Sequence, residues 1–75
     1  MTRLKPLTSR QVIKTLETMG FEIARQRGSH VFMRHPDGRK TVVPVHKGEV
    51  IGGGLLRHII QTAGINKEVF LKASK

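Results

Sequence analysis

A chain of 75 residues with 14 Lys+Arg, 5 Asp+Glu and no cysteine has room for one domain (1–75), with a core one thin layer of helix against sheet. The missing thiols exclude disulfides, thiolate zinc sites and cysteine nucleophiles. No apolar run approaches the ~18 residues of a membrane span and no signal-peptide pattern opens the chain, so a soluble cytoplasmic protein is expected.

A net charge of +9 recruits polyanions. The bases are spread along the chain rather than ranged on one amphipathic helix, which favours nucleic acid over a membrane surface.

Thr8-Ser9-Arg10-Gln11 reads as a capping box, with Thr8 the N-cap and Gln11 reaching back to it. Leu7 and Val12 fit the accompanying hydrophobic staple. Val12, Ile13, Leu16 and Met19 then follow helical spacing, and Gly20 suits the left-handed residue that ends a helix. Residues 21–26 set Phe21 and Ile23 against Glu22 and Ala24, the alternation of a short strand. Gly28 makes a turn, residues 30–35 a second strand, and Pro36-Asp37-Gly38-Arg39 the hairpin loop. The β-branched stretch 40–45 is the third strand, which Pro44 either ends or confines to an edge. Residues 46–53 read as loop. Leu55, Leu56, Ile59, Ile60 and Ala63 form the apolar stripe of a second helix closed by Gly64. Asn66 caps a short third helix, stapled by Ile65 and Phe70. The order α-β-β-β-α with a helical tail predicts a two-layer α+β domain, helices on one face of a three-stranded antiparallel sheet.

Several strings in this order resemble the HicA family of toxins, the small messenger-RNA interferases. They are Gly20-Phe21, Gly28-Ser29-His30, His35-Pro36-Asp37-Gly38-Arg39, Val43-Pro44-Val45-His46 and Leu56-Arg57-x-Ile59-Ile60-x-x-Ala63-Gly64-Ile65. The resemblance runs from the first helix through Ile65. It implies a double-stranded-RNA-binding-like fold, an RNA target, His30 as the catalytic histidine and a HicB-type antitoxin as partner. One departure is Gly52-Gly53-Gly54, where the family more often has a Lys-Gly-Thr-type start to the helix.

Strand alternation places Val31 and Met33 in the core and turns His30, Phe32 and Arg34 to the opposite face. An imidazole titrates near pH ~6.5 and can exchange a proton at neutral pH. Guanidiniums are shaped to grip phosphate oxygens. From the residues alone His30 is either an ordinary exposed strand residue or a proton-transfer group in a phosphate-binding frame. With the resemblance, the fitting chemistry is metal-independent RNA cleavage. A neutral imidazole takes the 2′-hydroxyl proton, and Arg25, Arg27, Arg34 and Lys40 are candidates to stabilise the charge that builds on the phosphoryl oxygens. The expected RNA-contacting set is Arg25, Arg27, Ser29, Phe32, Arg34 and Lys40, with Phe32 able to stack on a base.

Across the hairpin His30 is expected opposite Val45. A bulge at Gly38 would then bring His46 to the same face as a second acid or base, the plainer alternative being a loop histidine that only hydrogen-bonds. His35 is expected to pack the hairpin, His58 to lie on the surface, and Phe21 and Phe70 to be core. No metal or other cofactor is expected. The histidines lack His-x-x-x-His spacing, and their nearest acids, Asp37 and Glu49, sit in loops. Gly52-Gly53-Gly54 is no P-loop, since no Lys-Ser/Thr follows, and reads as a flexible segment. Besides a ribonuclease, the same basic surface would suit a non-catalytic RNA-binding module or a module docking an acidic protein.

Overall fold

Thr8 starts the first helix through its side chain. In the computed structural model, which describes residues 4–46, 48 and 50–74, Thr8 Oγ1 accepts from the Gln11 amide at 3.1 Å. Gln11 Oε1 in turn accepts from the Thr8 amide at 2.9 Å. This closes the expected capping box and starts α1 (Ser9–Thr18). Beyond its end, Gly20 takes φ +97°. Its amide reaches Glu17 O and that of Phe21 reaches Leu16 O, the paired bonds of a Schellman stop.

Three strands follow, β2 (Glu22–Arg27), β3 (His30–Arg34) and β4 (Lys40–Pro44), each within a residue of its expected bounds. A short strand before the first helix, β1 (Leu7–Thr8), pairs antiparallel with β5 (Val50–Ile51) in a separate two-stranded ladder. The main sheet is antiparallel in the order β2-β3-β4. After α2 (Gly53–Thr62), Asn66 Oδ1 accepts from the Glu68 and Val69 amides and caps α3 (Lys67–Ala73). The fold is the two-layer α+β arrangement of double-stranded-RNA-binding type.

Val31, Met33, Thr41 and Val43 point toward the helices and are buried against Val12, Leu16, Leu56, Ile59, Ile60 and Phe70. Burying each large apolar side chain contributes roughly 1.5–3 kcal/mol. The Thr41 hydroxyl sits 3.0 Å from that of Thr62 and donates to Ile59 O at 3.3 Å. This buried hydroxyl therefore fastens α2 to β4.

Three expectations are corrected. Ile23 faces the same side as its partner Met33, yet it is 49% exposed because β2 is an edge strand. Leu55, placed in the helical stripe, is 44% exposed and overlooks a small hollow beside β5. The stretch 46–53 is not all loop. Its Val50–Ile51 pairs with Leu7–Thr8, and Gly53 and Gly54 are wound into the first turn of α2, with Gly52 as an N-cap lacking a side-chain hydrogen bond.

The hairpin loop is clasped to the rest of the fold by Arg39. Its guanidinium donates to the carbonyls of Ala63 and Gly64 at 3.4 and 3.2 Å, and it lies over the Phe21 ring at 5.4 Å. Asp37 holds it in place, accepting from the Arg39 amide at 3.0 Å and from Nε at 2.8 Å. These bonds, the amide first, draw the Asp37 carboxyl below its usual 3.8. His35 packs edge-on against Phe21 with ring centroids 5.1 Å apart, the hairpin role expected of it.

Two stability results are expected. A Cβ on Gly20 would lie 2.7 Å from His35 Nε2 at a positive φ, whereas one on Gly28 (φ +56°) would meet nothing within 4 Å. Gly20→Ala should therefore cost on the order of 1–3 kcal/mol in urea unfolding, and clearly more than Gly28→Ala. For Asp37, a depressed folded pKa gives stability that is present above the unfolded pKa and lost as pH falls through the folded one. The advantage of wild type over Asp37→Asn should hold above about pH 4 and vanish on further acidification of the melts.

Candidate functional site

The side of the sheet away from the helices forms a three-by-three grid set by register. Arg27, His30 and Pro44 make one row, Arg25, Phe32 and Val42 the next, and Glu22, Arg34 and Lys40 the third. Cross-strand partners share a face, so all nine positions lie on this open side.

The left-hand column depends on a β-bulge. Ile23 pairs with Met33, but Arg25 rather than Ala24 pairs with Phe32, so Ala24 is the extra residue. Simple alternation from Glu22 outward would send Arg25 and Arg27 to the helix side. The inserted residue reverses the parity and turns both arginines out beside His30 and Phe32. The residue types in 22–27 gave no sign of this device.

Electrostatically the face is cationic. Arg34 Nε is 3.1 Å from Glu22 Oε1, an exposed pair whose attraction water weakens. Arg25 lies over the Phe32 ring, its Cζ 4.7 Å from the centroid, and so holds a flat aromatic surface against a charge. Among the described residues no carboxylate pairs with Arg25, Arg27 or Lys40.

His30 is exposed and begins β3 directly after the tight turn at Gly28, whose φ of +56° is the left-handed geometry the sequence suggested. Ser29 is half-buried, and its carbonyl accepts from the Val45 amide at 2.6 Å. That bond ties the turn to the end of β4 and holds the base of the His30 backbone still.

Opposite His30 stands Pro44, not Val45, and the β3–β4 register is continuous from Arg34–Lys40 to His30–Pro44. The register differs by one residue because the loop is tighter than expected, closing through His35 N–H to Arg39 O. Val45 packs against the core instead. His46 is exposed and shares a hollow of about 90 Å³ with Pro44, the cross-strand neighbour of His30.

The expected set Arg25, Arg27, Phe32, Arg34 and Lys40 is thus gathered with His30 on one face, and Ser29 supports it from the turn. Sequence reading missed Val42 and His58. A cavity of about 510 Å³ opens beside Phe32 and is lined by both. His58 is exposed, as expected, but the Thr41–Thr62 bond pins its flank of α2 to β4. The available signal was the four-residue spacing of His58 and Thr62, which puts them on one helix face.

Among the described residues no three His, Cys, Asp or Glu side chains gather into a set able to hold a metal ion. Asp37 is engaged by Arg39, and Glu49 lies outside the described residues. Among those residues, too, no helix is long and apolar enough to cross a membrane.

The family model described as the HicA toxin of bacterial toxin–antitoxin systems matches residues 9–65, most of the chain. That span runs from the start of α1 to just past α2 and includes the whole grid. No curated protein matches the sequence.

Proposed function

The chain belongs to the HicA toxin family and is the toxin of a toxin–antitoxin pair; from that premise we propose that it is a metal-independent endoribonuclease that cleaves messenger RNA in the cytoplasm. The observation that carries this reading is His30, an exposed imidazole in a row between Arg27 and Pro44 on an open cationic face.

In the proposed reaction His30 removes the proton of a ribose 2′-hydroxyl. The oxygen attacks the adjacent phosphorus and the bond to the 5′-oxygen breaks, leaving a 2′,3′-cyclic phosphate and a 5′-hydroxyl. Arg27, in the row of His30, holds the phosphate and offsets the charge that develops on its oxygens, while Arg25, Arg34 and Lys40, one and two rows away, hold phosphates further along the strand. The leaving 5′-oxygen needs a proton, and His46, sharing a hollow with Pro44, is our candidate for that role. The antitoxin is a HicB-type protein that covers the His30 face, where an acidic surface would both exclude RNA and neutralise the charge that attracts it.

His30→Ala should lower cleavage of RNA by about 10²–10⁴-fold with an unchanged melting curve, since the side chain is exposed and leaves no core cavity. Both proteins are assayed with a chelator present. Equal cleavage by the two, or cleavage that the chelator abolishes, contradicts the reading; binding without cleavage by wild type would indicate an RNA-binding module.

Affinity should also fall with salt. Contacts from Arg25, Arg27 and Lys40 to three phosphates give a slope of about −2 in log K against log salt on a single strand. Lys40→Ala should reduce that slope by roughly 0.7 in titrations across salt concentrations.

A further inference from the structure

The fold is of a kind that suits duplex RNA, read by shape across grooves. The surface beside His30 is built for something else. A cavity of about 510 Å³, within the ~300–1,000 Å³ of small-ligand pockets, is lined by the sheet around Phe32 and Val42, including the inward-facing Met33 and Thr41, and by His58 and Thr62 of α2. Phe32 and Val42 supply its apolar surface, His58 stands on the α2 side, and Arg25, Arg34 and Lys40 bring positive charge to it. Val42 is 38% exposed there, an apolar side chain halfway along the edge strand β4 on a cationic face.

A ligand that fits this lining has a flat, largely apolar part and carries negative charge at its edge. A nucleotide has both. A purely ionic partner would leave Phe32 and Val42 in water, and a purely apolar one would leave Arg25 and Lys40 without a counter-charge.

Position supplies the link to chemistry. The row Arg25–Phe32–Val42 is adjacent to the row Arg27–His30–Pro44. Two residues along a strand span about 7 Å, a distance an extended nucleotide covers between its base and a neighbouring phosphate. A base seated against Phe32 therefore presents an adjoining phosphate to His30.

We propose that this cavity is a base-binding subsite that takes one unpaired RNA base, so that the strand bound at His30 is single-stranded at that nucleotide. The inference rests on the proposed ribonuclease reading and adds to it the state of the substrate. A base inside a duplex is stacked above and below and cannot enter; it must be in a single strand or be flipped out, at a cost in stacking. Aromatic stacking accepts any base, so Phe32 and His58 select for an unpaired base before they select for its identity.

The test uses end-labelled 2′-O-methyl RNA, which lacks the attacking hydroxyl, and fluorescence anisotropy with the full chain. Three probes of one length are compared: a single strand, the same strand in a full duplex, and an abasic strand of equal charge. The single strand should bind roughly tenfold tighter than the abasic strand and tighter than the duplex. Phe32→Leu and His58→Ala, checked by thermal melts, should each shrink the gap between single and abasic strands.

Equal binding of single and abasic strands, or duplex binding as tight as single-strand binding, overturns the subsite. If cleavage still depends on His30 in that case, the ribonuclease reading stands without it. Base-dependent binding that Phe32→Leu abolishes, in a protein that cleaves no RNA, keeps the subsite and removes the reaction.

Discussion

Five consecutive residues of β3 alternate between two incompatible environments, and the site exists because the core fixes which is which. Val31 and Met33 are buried under the helices, while His30 and Arg34 are exposed and Phe32 is half-buried. A slip of one residue in register would exchange the two sets. It would bury an imidazole and a guanidinium among Leu16, Ile59 and Phe70 and put Val31 and Met33 into water. Leaving a charge unpaired in such a layer costs far more than any single contact on the open face could return. The position of His30 is therefore a property of hydrophobic burial on the opposite side of the sheet, and the polar face needs no network of its own to hold it.

Around this constraint the recurrent sequence strings divide into two jobs. Gly28-Ser29-His30 makes the turn that launches the functional strand. Gly20-Phe21, His35 through Arg39 and Ala63-Gly64 meet at one clasp, where Arg39 links the hairpin to Phe21 and to the end of α2. Gly64 is part of the fit: a Cβ there would lie 3.0 Å from Arg39 Cδ. The clasp carries charged residues without serving the site. It fixes the far end of the β3–β4 hairpin, and so the cross-strand partners Pro44, Val42 and Lys40 that complete the grid.

Much of this could be read from residues because it is governed by local rules. The Thr8 cap, the stop at Gly20, the hairpin at Pro36–Arg39 and the outward face of His30, Phe32 and Arg34 all follow from capping chemistry, backbone freedom and strand period. Three features depend on pairing between distant segments and left no local mark. The bulge at Ala24 decides where Arg25 and Arg27 point. The Leu7–Ile51 and Thr8–Val50 pairing turns an expected loop into a brace. The register of β4 places Pro44 rather than Val45 opposite His30. The cavity was hidden for the same reason, since it forms where α2, near His58, passes the sheet beside Val42 and Phe32.

Burial of Val31 and Met33 delivers the proposed RNA-binding face on the other side of the same strand. Backbone amide shifts measured with and without a non-cleavable 2′-O-methyl single strand test it most directly. The expected perturbations trace β2, β3 and β4, centred on Arg25, His30, Phe32 and Val42, with α1 and α3 unmoved. Perturbations centred on α1 and α3, with the His30 and Phe32 signals unchanged, would contradict it.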